Sequence, residues 1–226
     1  MLLLPTLWIV YVALVNTKML LMATFLRYNR IMDAKVEKYH HGNLKSVLLK
    51  AAFKLIEKMG LDGFTLREVA RKAGVSHNAP YRHFPSKESL VAALATESFR
   101  QLHQALQVAI AECAEPAGRL HDAAIAYLRF ALKNPSRFNI MFHSTFDREA
   151  YPEYVAAYTG LLDLLSELIE QHSNLTTPRE TAGELVWASI HGIAELGLAR
   201  RLRHGSQPEL EQLANAATSA LLMGLR

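Results

Sequence analysis

A single cysteine, Cys113, is all that 226 residues offer. It excludes a disulfide framework and any zinc or iron–sulfur site built on several thiolates, and it suits a reducing cytoplasm. Nowhere does the chain carry Gly-x-Gly-x-x-Gly, a Walker A run or His-Glu-x-x-His, so the phosphate cradles and the two-histidine zinc helix of those motifs are missing. No serine has the strand–turn–helix setting of a nucleophile elbow. The ten histidines are scattered rather than set at ligand spacing, and His40-His41 reads as a solvated pair on a polar arm. Carboxylate pairs such as Glu167 with Glu170 fall on helix faces, where charge is solvated. No catalytic group, metal or cofactor is therefore expected. Eight prolines and eleven glycines form no low-complexity array, and a formal charge of +4 permits an anionic partner without demanding one. Apolar surface is what abounds: 50% of residues are hydrophobic against 20% charged, enough for one large or two small domains and too much for a disordered chain.

The apolar residues are unevenly spread. From Met1 to Val15 only Pro5 and Thr6 break the run, and Met19 to Leu26 is apolar again apart from Thr24. A membrane-spanning helix needs about 20 consecutive apolar residues. Asn16-Thr17-Lys18 falls inside that length, although Arg27, Arg30, Lys35 and Lys38 would give a basic flank. A secretory signal fits less well, for want of a positive start and a small-x-small cleavage site. Met32 then opens a polar stretch, Met32-Asp-Ala-Lys-Val-Glu-Lys38, of the kind that begins soluble proteins. Residues 1–31 are read first as an apolar start-site extension outside the working protein, with a membrane segment or an added helix as the alternatives.

A compact helical unit follows, over residues 32–90. Leu44, Val47, Leu48, Ala51, Ala52, Leu55, Ile56 and Met59 recur at helical spacing while Lys45, Lys50, Lys54 and Lys58 point away, and Gly60 is placed to end the helix. Thr65 and Glu68 form a Thr-x-x-Glu capping box before a short helix whose inner face is Leu66, Val69, Ala70 and Ala73. Gly74-Val75-Ser76 is the break: Gly74 supplies a left-handed turn, Val75 plugs the core, and Ser76 caps a third helix. Two short helices joined this tightly make a helix-turn-helix.

The run Thr65-Leu-Arg-Glu-Val-Ala-Arg-Lys-Ala-Gly-Val-Ser76, followed by Ala79-Pro-Tyr-Arg-His-Phe-Pro-Ser-Lys-Glu-Ser-Leu90, resembles the DNA-binding domain of TetR/AcrR-type bacterial repressors over about residues 40–100. Trp187-Ala-Ser-Ile-His191-Gly192 is similar to the Trp…His-Gly element of the WHG class of C-terminal domains in that family. The resemblance implies an all-α homodimer, with an N-terminal three-helix helix-turn-helix domain that binds operator DNA and a larger helical ligand-binding and dimerisation domain. It implies a transcriptional regulator, a repressor released by a small-molecule effector. At positions 78 and 80 the family more often has glycine and leucine, where this chain has Asn78 and Pro80.

A helix N-terminus laid in the major groove presents its first turn to base edges, here His77, Asn78 and Ala79. Asn78 can bond adenine at N6 and N7 together, His77 can reach a base or a phosphate, and Ala79 can touch a thymine methyl. Tyr81, His83 and Lys87 offer hydroxyl, imidazole and ammonium groups to phosphates, with Thr65 and the N-terminus of the helix after Ser86 adding further donors. Each also has a plainer reading: His83 as a packing residue beside Phe84, Tyr81 as a lid on the three-helix core, Thr65 as a cap alone. Lys35, Lys38 and His40 to Asn43 would suit a basic arm in the minor groove. Pro80, unless it lies in the first turn, costs its helix a hydrogen bond and shifts which side chains face the bases.

Residues 91–226 read as long helices. One runs from Ser86 to about Cys113 and stops before Pro116. Others are expected at about 117–133, from Asn134-Pro135 through Phe138, Met141, Phe142 and Phe146, and at about 152–171. Thr177-Pro-Arg-Glu180 and Ser206-Gln-Pro-Glu209 are capping boxes for the last two, ending near Leu202 and Met223. Two apolar helices closing the chain suit a four-helix bundle across a two-fold axis, and thus a homodimer, with burial inside one protomer as the alternative. A ligand pocket between helices would draw on Tyr127, Phe130, Phe138, Met141, Phe142, Phe146, Tyr158 and Trp187, with His191 as a polar contact. The same residues at helical spacing also read as simple core.

Charge separates along the chain. Residues 32–90 hold 11 basic and 6 acidic side chains, residues 91–226 hold 11 and 15, and residues 1–31 hold three basic and none acidic. A basic head on an acidic body points to double-stranded DNA as the partner and the cytoplasm as the location. The competing classes are a membrane-tethered DNA-binding regulator and a small helical enzyme.

Overall fold

The computed structural model describes residues 44–115, 118–143, 145–171, 176–203 and 205–225. The readings of residues 1–31, of the arm at Lys35, Lys38 and His40 to Asn43, and of Pro116 as a stop lie outside them. Residues 1–48 group as one unit and residues 49–226 as another. The described residues form eight α-helices: α1 Leu44–Met59, α2 Leu66–Ala73, α3 Lys87–Glu112, α4 Arg119–Lys133, α5 Pro135–His143, α6 Pro152–Glu170, α7 Arg179–Leu198 and α8 Gln207–Gly224. None of these helices is long and apolar enough to cross a membrane.

In α1, Ala51, Ala52, Leu55 and Ile56 are buried while Lys50, Lys54 and Lys58 are exposed. Met59, expected on the inner face, is turned outward, because the helix ends there: the Gly60 N–H closes on the Ile56 carbonyl at 2.8 Å with φ +77°. The capping box of α2 forms as expected. The Thr65 N–H donates to Glu68 Oε2 at 2.8 Å, and the Glu68 N–H to Thr65 Oγ1 at 3.3 Å. Leu66, Val69 and Ala70 are buried beneath it. At its far end Gly74 takes φ 70°, ψ 29°, and the Val75 N–H reaches the Ala70 carbonyl at 3.0 Å, a closure that needs the left-handed residue between them.

The expected third helix, capped by Ser76, is not an α-helix. Pro80–Arg82 is a single 3-10 turn. Pro80 has no N–H to give the Ser76 carbonyl, which accepts instead from Ala79 one residue earlier, at 3.0 Å; the tighter i→i+3 pattern then continues from Arg82 to Ala79 and from His83 to Pro80. A proline at this position thus selects the 3-10 form over the α form.

Helix α3 is the spine. Ser86 caps it, accepting from the Ser89 N–H at 3.1 Å, and its buried Leu90, Leu94, Phe99, Leu102 and Leu106 run along its length. It packs on α4, α5 and α6, while α4 also packs on α7 and α8 and these two on each other. A Cβ at Gly197 would stand 2.9 Å from Leu210 Cδ1, so the absence of a side chain there sets the close approach of α7 to α8. Two boundaries differ from expectation. The cap of α7 is Pro178 and makes no side-chain bond; the Thr177 capping box does not form, and the Thr176 and Thr177 N–H groups instead bind the Leu225 carbonyl at 2.9 and 3.3 Å. The helix also stops at Leu198 rather than Leu202, where Arg200 takes φ 53°. The Ser206–Glu209 box is present, with the Ser206 N–H on Glu209 Oε2 at 3.0 Å.

Candidate DNA-reading surface and ligand cavity

Between α2 and α3 the chain alternates between anchoring and display. Pro80 and Phe84 are buried, Ala79 is half-buried, and His77, Asn78, Tyr81, Arg82 and His83 are exposed. Tyr81 is 45% exposed, so it does not close the core; His83 is exposed, with its ring tilted against that of Phe84 at 6.4 Å. The reading of Tyr81 as a lid therefore fails, while His83 keeps its ring contact with Phe84. Phe84 does the anchoring, its N–H held by the Pro80 carbonyl at 2.9 Å.

Thr65 and Lys87 are already engaged. The Thr65 hydroxyl donates to Glu68 Oε2 at 3.0 Å. Lys87 Nζ donates to the Asp62 carbonyl at 3.0 Å and stands 4.5 Å from the centre of the Phe64 ring. One ammonium proton is thus spent and two remain. The run of exposed cations that sequence reasoning passed over is Arg67, Arg71, Lys72 and Arg82, all exposed and without an acidic partner among the described residues. Arg82 in particular stands between the exposed Tyr81 and His83. Its signal was its place inside Tyr-Arg-His-Phe, but a lone arginine reads as ordinary surface.

Between α3, α4, α6 and α7 lies an apolar cavity that holds about 50 Å³, or about 500 Å³ when the solvent-open space at its mouth is counted. Helix α6 gives it five leucines (Leu161, Leu162, Leu164, Leu165, Leu168), α3 and α4 give Leu106, Leu120, Ala123, Ala124 and Tyr127, and α7 gives Val186, Trp187 and Ile190. Of the nine residues proposed from sequence for a pocket, only Tyr127 and Trp187 line it. Phe130, Phe138 and Met141 are buried in the core. Phe142 and Tyr158 set their rings 5.5 and 5.7 Å from Phe99, and Phe146, beyond the end of α5, packs on Tyr151 and Tyr154. The aromatic residues find one another, and the aliphatic ones border the space.

His191 sits at the junction. Its ring lies against Phe138 at 5.2 Å, Phe142 at 4.5 Å and Trp187 at 5.7 Å. Its Nδ1 pairs with the Tyr127 hydroxyl at 2.8 Å, and its Nε2 stands 3.9 Å from Glu195 Oε1. With the hydroxyl donating to Nδ1, a ring proton on Nε2 faces Glu195. Burial holds the Tyr127 hydroxyl well above its usual range, partly offset by the nearby Trp187 indole, so Tyr127 stays a neutral phenol. The indole N–H, itself buried, lies near enough to the Tyr127 hydroxyl oxygen to favour its ionised form by hydrogen bonding.

Helix α5 joins these groups to α1. Beside Phe138 it carries Arg137, whose guanidinium lies 4.0 Å from the centre of the Phe53 ring of α1. Burial lowers the Arg137 pKa, and the charges of Glu97 and Glu57 oppose that. A half-buried arginine over an aromatic face, with two acids near, is a contact of about 1–2 kcal/mol between α5 and α1.

Two sequence profiles match the chain: "Bacterial regulatory proteins, tetR family" over residues 48–94 and "Tetracyclin repressor-like, C-terminal domain" over residues 120–221. An uncharacterized HTH-type transcriptional regulator from Mycobacterium tuberculosis is 34% identical over 89 residues, 39% of this chain and 44% of that relative. The match thus spans less than half the relative's length. Among solved structures, a protein of unknown function from Rhodococcus sp. RHA1 is 32% identical, with 83% of this chain and 97% of that one covered and a TM-score of 0.73. The TetR family transcriptional regulator PfmR from Thermus thermophilus shares the fold at 22% identity, covering 79% and 98% with a TM-score of 0.59.

Proposed function

The chain belongs to the TetR family of bacterial regulatory proteins, and from that premise we propose that it is a ligand-responsive, DNA-binding transcriptional repressor that works as a homodimer on an inverted-repeat operator. The observation that carries this reading is the segment between α2 and α3, where Pro80 and Phe84 are buried and every polar side chain from His77 to His83 is exposed. In this reading residues 32–90 are the DNA-binding head and residues 91–226 the body. His77, Asn78 and Ala79 face base edges. Thr65, Tyr81, His83 and Lys87 hold phosphates, and Arg82 joins them. With a 3-10 turn in place of a helical first turn, Asn78 reaches its base from a shorter and differently aimed support.

The dimer forms through α7 and α8. Leu185, Leu196, Leu213 and Met223 are between 41% and 66% exposed, and Leu213, Ala216, Ala220 and Met223 lie on one face of α8 with no charged residue from Gln212 to Gly224. An uncharged apolar stripe that a protomer leaves uncovered suits a self-complementary two-fold contact. The two heads then fall in successive major grooves about 34–36 Å apart. A small molecule in the body releases the operator by favouring another setting of α3, which spans head and cavity, and it does so only to the extent that it binds one state better.

Selection of operators from random duplex DNA at fixed salt tests the reading. The expected result is enrichment of an inverted repeat bound by two chains. Recovery of no preferred sequence would refute it.

A further inference from the structure

Trp187 and His191 stand one helical turn apart on α7, yet Trp187 lines the cavity and His191 does not. His191 meets the wall through Tyr127, a lining residue whose hydroxyl pairs with its Nδ1 at 2.8 Å. The same imidazole is stacked on Phe138 at 5.2 Å, with the ring planes 29° apart, and meets the Phe142 ring at 4.5 Å. Both phenyl rings belong to α5, a helix of only nine residues. Side chains packed this closely do not shift singly, so a turn of the His191 ring is passed to α5 as a whole.

At the next residue of α5, Arg137 places its guanidinium 4.0 Å from the centre of the Phe53 ring of α1. The carboxylates of Glu57 on α1 and Glu97 on α3 both act on that cation. Glu97 is held within α3 by Gln101, which donates to it at 2.8 Å. Arg137 therefore has two settings open to it, one over Phe53 beside Glu57 and one drawn toward Glu97. A contact with alternative partners on two helices supplies the two-state element that coupling between distant groups requires.

We infer that His191 and Arg137 form a relay by which an occupant of the cavity alters α1: displacement of Tyr127 turns His191, His191 moves α5 through Phe138 and Phe142, and Arg137 then leaves Phe53. The inference rests on the reading of the body as an effector-binding domain. It gives the Trp187…His191-Gly192 element a role in which the histidine is a positioning residue behind the wall, where sequence reasoning made it a polar contact of the ligand.

Amide hydrogen exchange of the full chain, read by mass spectrometry on peptides covering residues 49–59, tests the relay without DNA or ligand. Tyr127→Phe deletes the hydroxyl that reaches His191 and keeps the ring in the wall. It is expected to change exchange in α1 about three- to ten-fold, the effect of one neutral hydrogen bond on an opening equilibrium. In an Arg137→Met background, which keeps the stem and removes the charge, the same substitution should change it less than about two-fold. Arg137→Lys, with a cation again over the ring, should restore most of the response. Equal responses in the parent and Arg137→Met backgrounds overturn the inference, since a general loosening of α4 needs no cation. An α1 exchange that ignores Tyr127→Phe overturns it as well. If Arg137→Met does not fold, Phe53→Leu takes its place, removing the ring where the other removes the charge. Titrations of the same variants with the operator recovered by selection separate the two readings. An α1 response with unchanged DNA affinity leaves the relay standing and removes its regulatory role. DNA affinity that changes in Tyr127→Phe while α1 exchange does not overturns the relay and leaves the effector reading in place.

Discussion

Replacing Pro80 by leucine isolates what the proline does to the segment between α2 and α3. The substitution restores one N–H, placed to reach the Ser76 carbonyl that now accepts from Ala79 at 3.0 Å. One more backbone hydrogen bond contributes about 0.5–1.5 kcal/mol. Against it stands the greater freedom of the unfolded chain without proline, about 0.4–1 kcal/mol. Position 80 is buried, and a leucine there keeps the apolar contact at the cost of some local crowding. These terms nearly cancel, so stability should change by no more than about 1 kcal/mol, while roughly one turn of α-helix is gained. His77 and Asn78 are re-aimed by the same change. Urea denaturation and far-UV circular dichroism measure the first two effects, and operator selection at fixed salt the third. An unchanged helical signal with unchanged base preference would refute the claim that Pro80 holds the segment in its 3-10 form.

Three further outcomes follow from the geometry. Gly74→Ala puts a Cβ at φ 70° and should destabilise by about 1–2 kcal/mol, read as a lower urea midpoint; an unaffected midpoint would mean that the turn relaxes freely. Arg129 binds Glu211 through both oxygens at 2.8 Å, and this guanidinium holds the Glu211 carboxyl below its usual range. The pair's contribution is therefore present above the ordinary carboxylate pKa and is lost as pH falls through the depressed one. Because Arg129 is 59% exposed, solvent screening limits the loss in Glu211→Gln to about 0.5–1 kcal/mol at pH 7, shrinking as pH falls through the depressed carboxyl pKa; a loss that does not shrink with falling pH would point to packing instead. Leu196→Glu with Leu213→Glu should weaken dimerisation at least about 100-fold, since four leucines per two-fold interface each contribute on the order of 1 kcal/mol. Sedimentation of a folded variant as the parent dimer would place the interface elsewhere.

The capping signals made much of the stretch from α1 to α3 legible. Thr65 with Glu68 and Ser86 before α3 mark positions where a side-chain oxygen meets an orphan backbone N–H, and such local chemistry is written in adjacent residues. Gly74 was legible for the same reason, as the residue that tolerates a left-handed turn. Pro80 was visible as a departure, but its outcome depended on which residue supplied the alternative bond, and Ala79 could be identified only in three dimensions. The Thr177 box failed because the Leu225 carbonyl, from the far end of the chain, took the N–H groups of Thr176 and Thr177. The cavity was the least legible feature. Helical periodicity tells which residues turn inward but not which inward faces fail to meet. The aromatic side chains were large enough to reach one another around Phe99 and His191, and the gap was left to the leucines of α6, which read from sequence as ordinary core.

The central claim is that two copies of this chain read one operator through the segment between α2 and α3. Its most direct test is a titration of the selected inverted repeat with the intact protein across a range of salt concentrations, with stoichiometry measured at each point. Two chains per duplex are predicted, together with an affinity that falls steeply as salt rises, the logarithmic slope being about −0.9 for each phosphate neutralised. Half-sites should be centred about one helical turn apart. A single chain per site, or an affinity indifferent to salt, would contradict it.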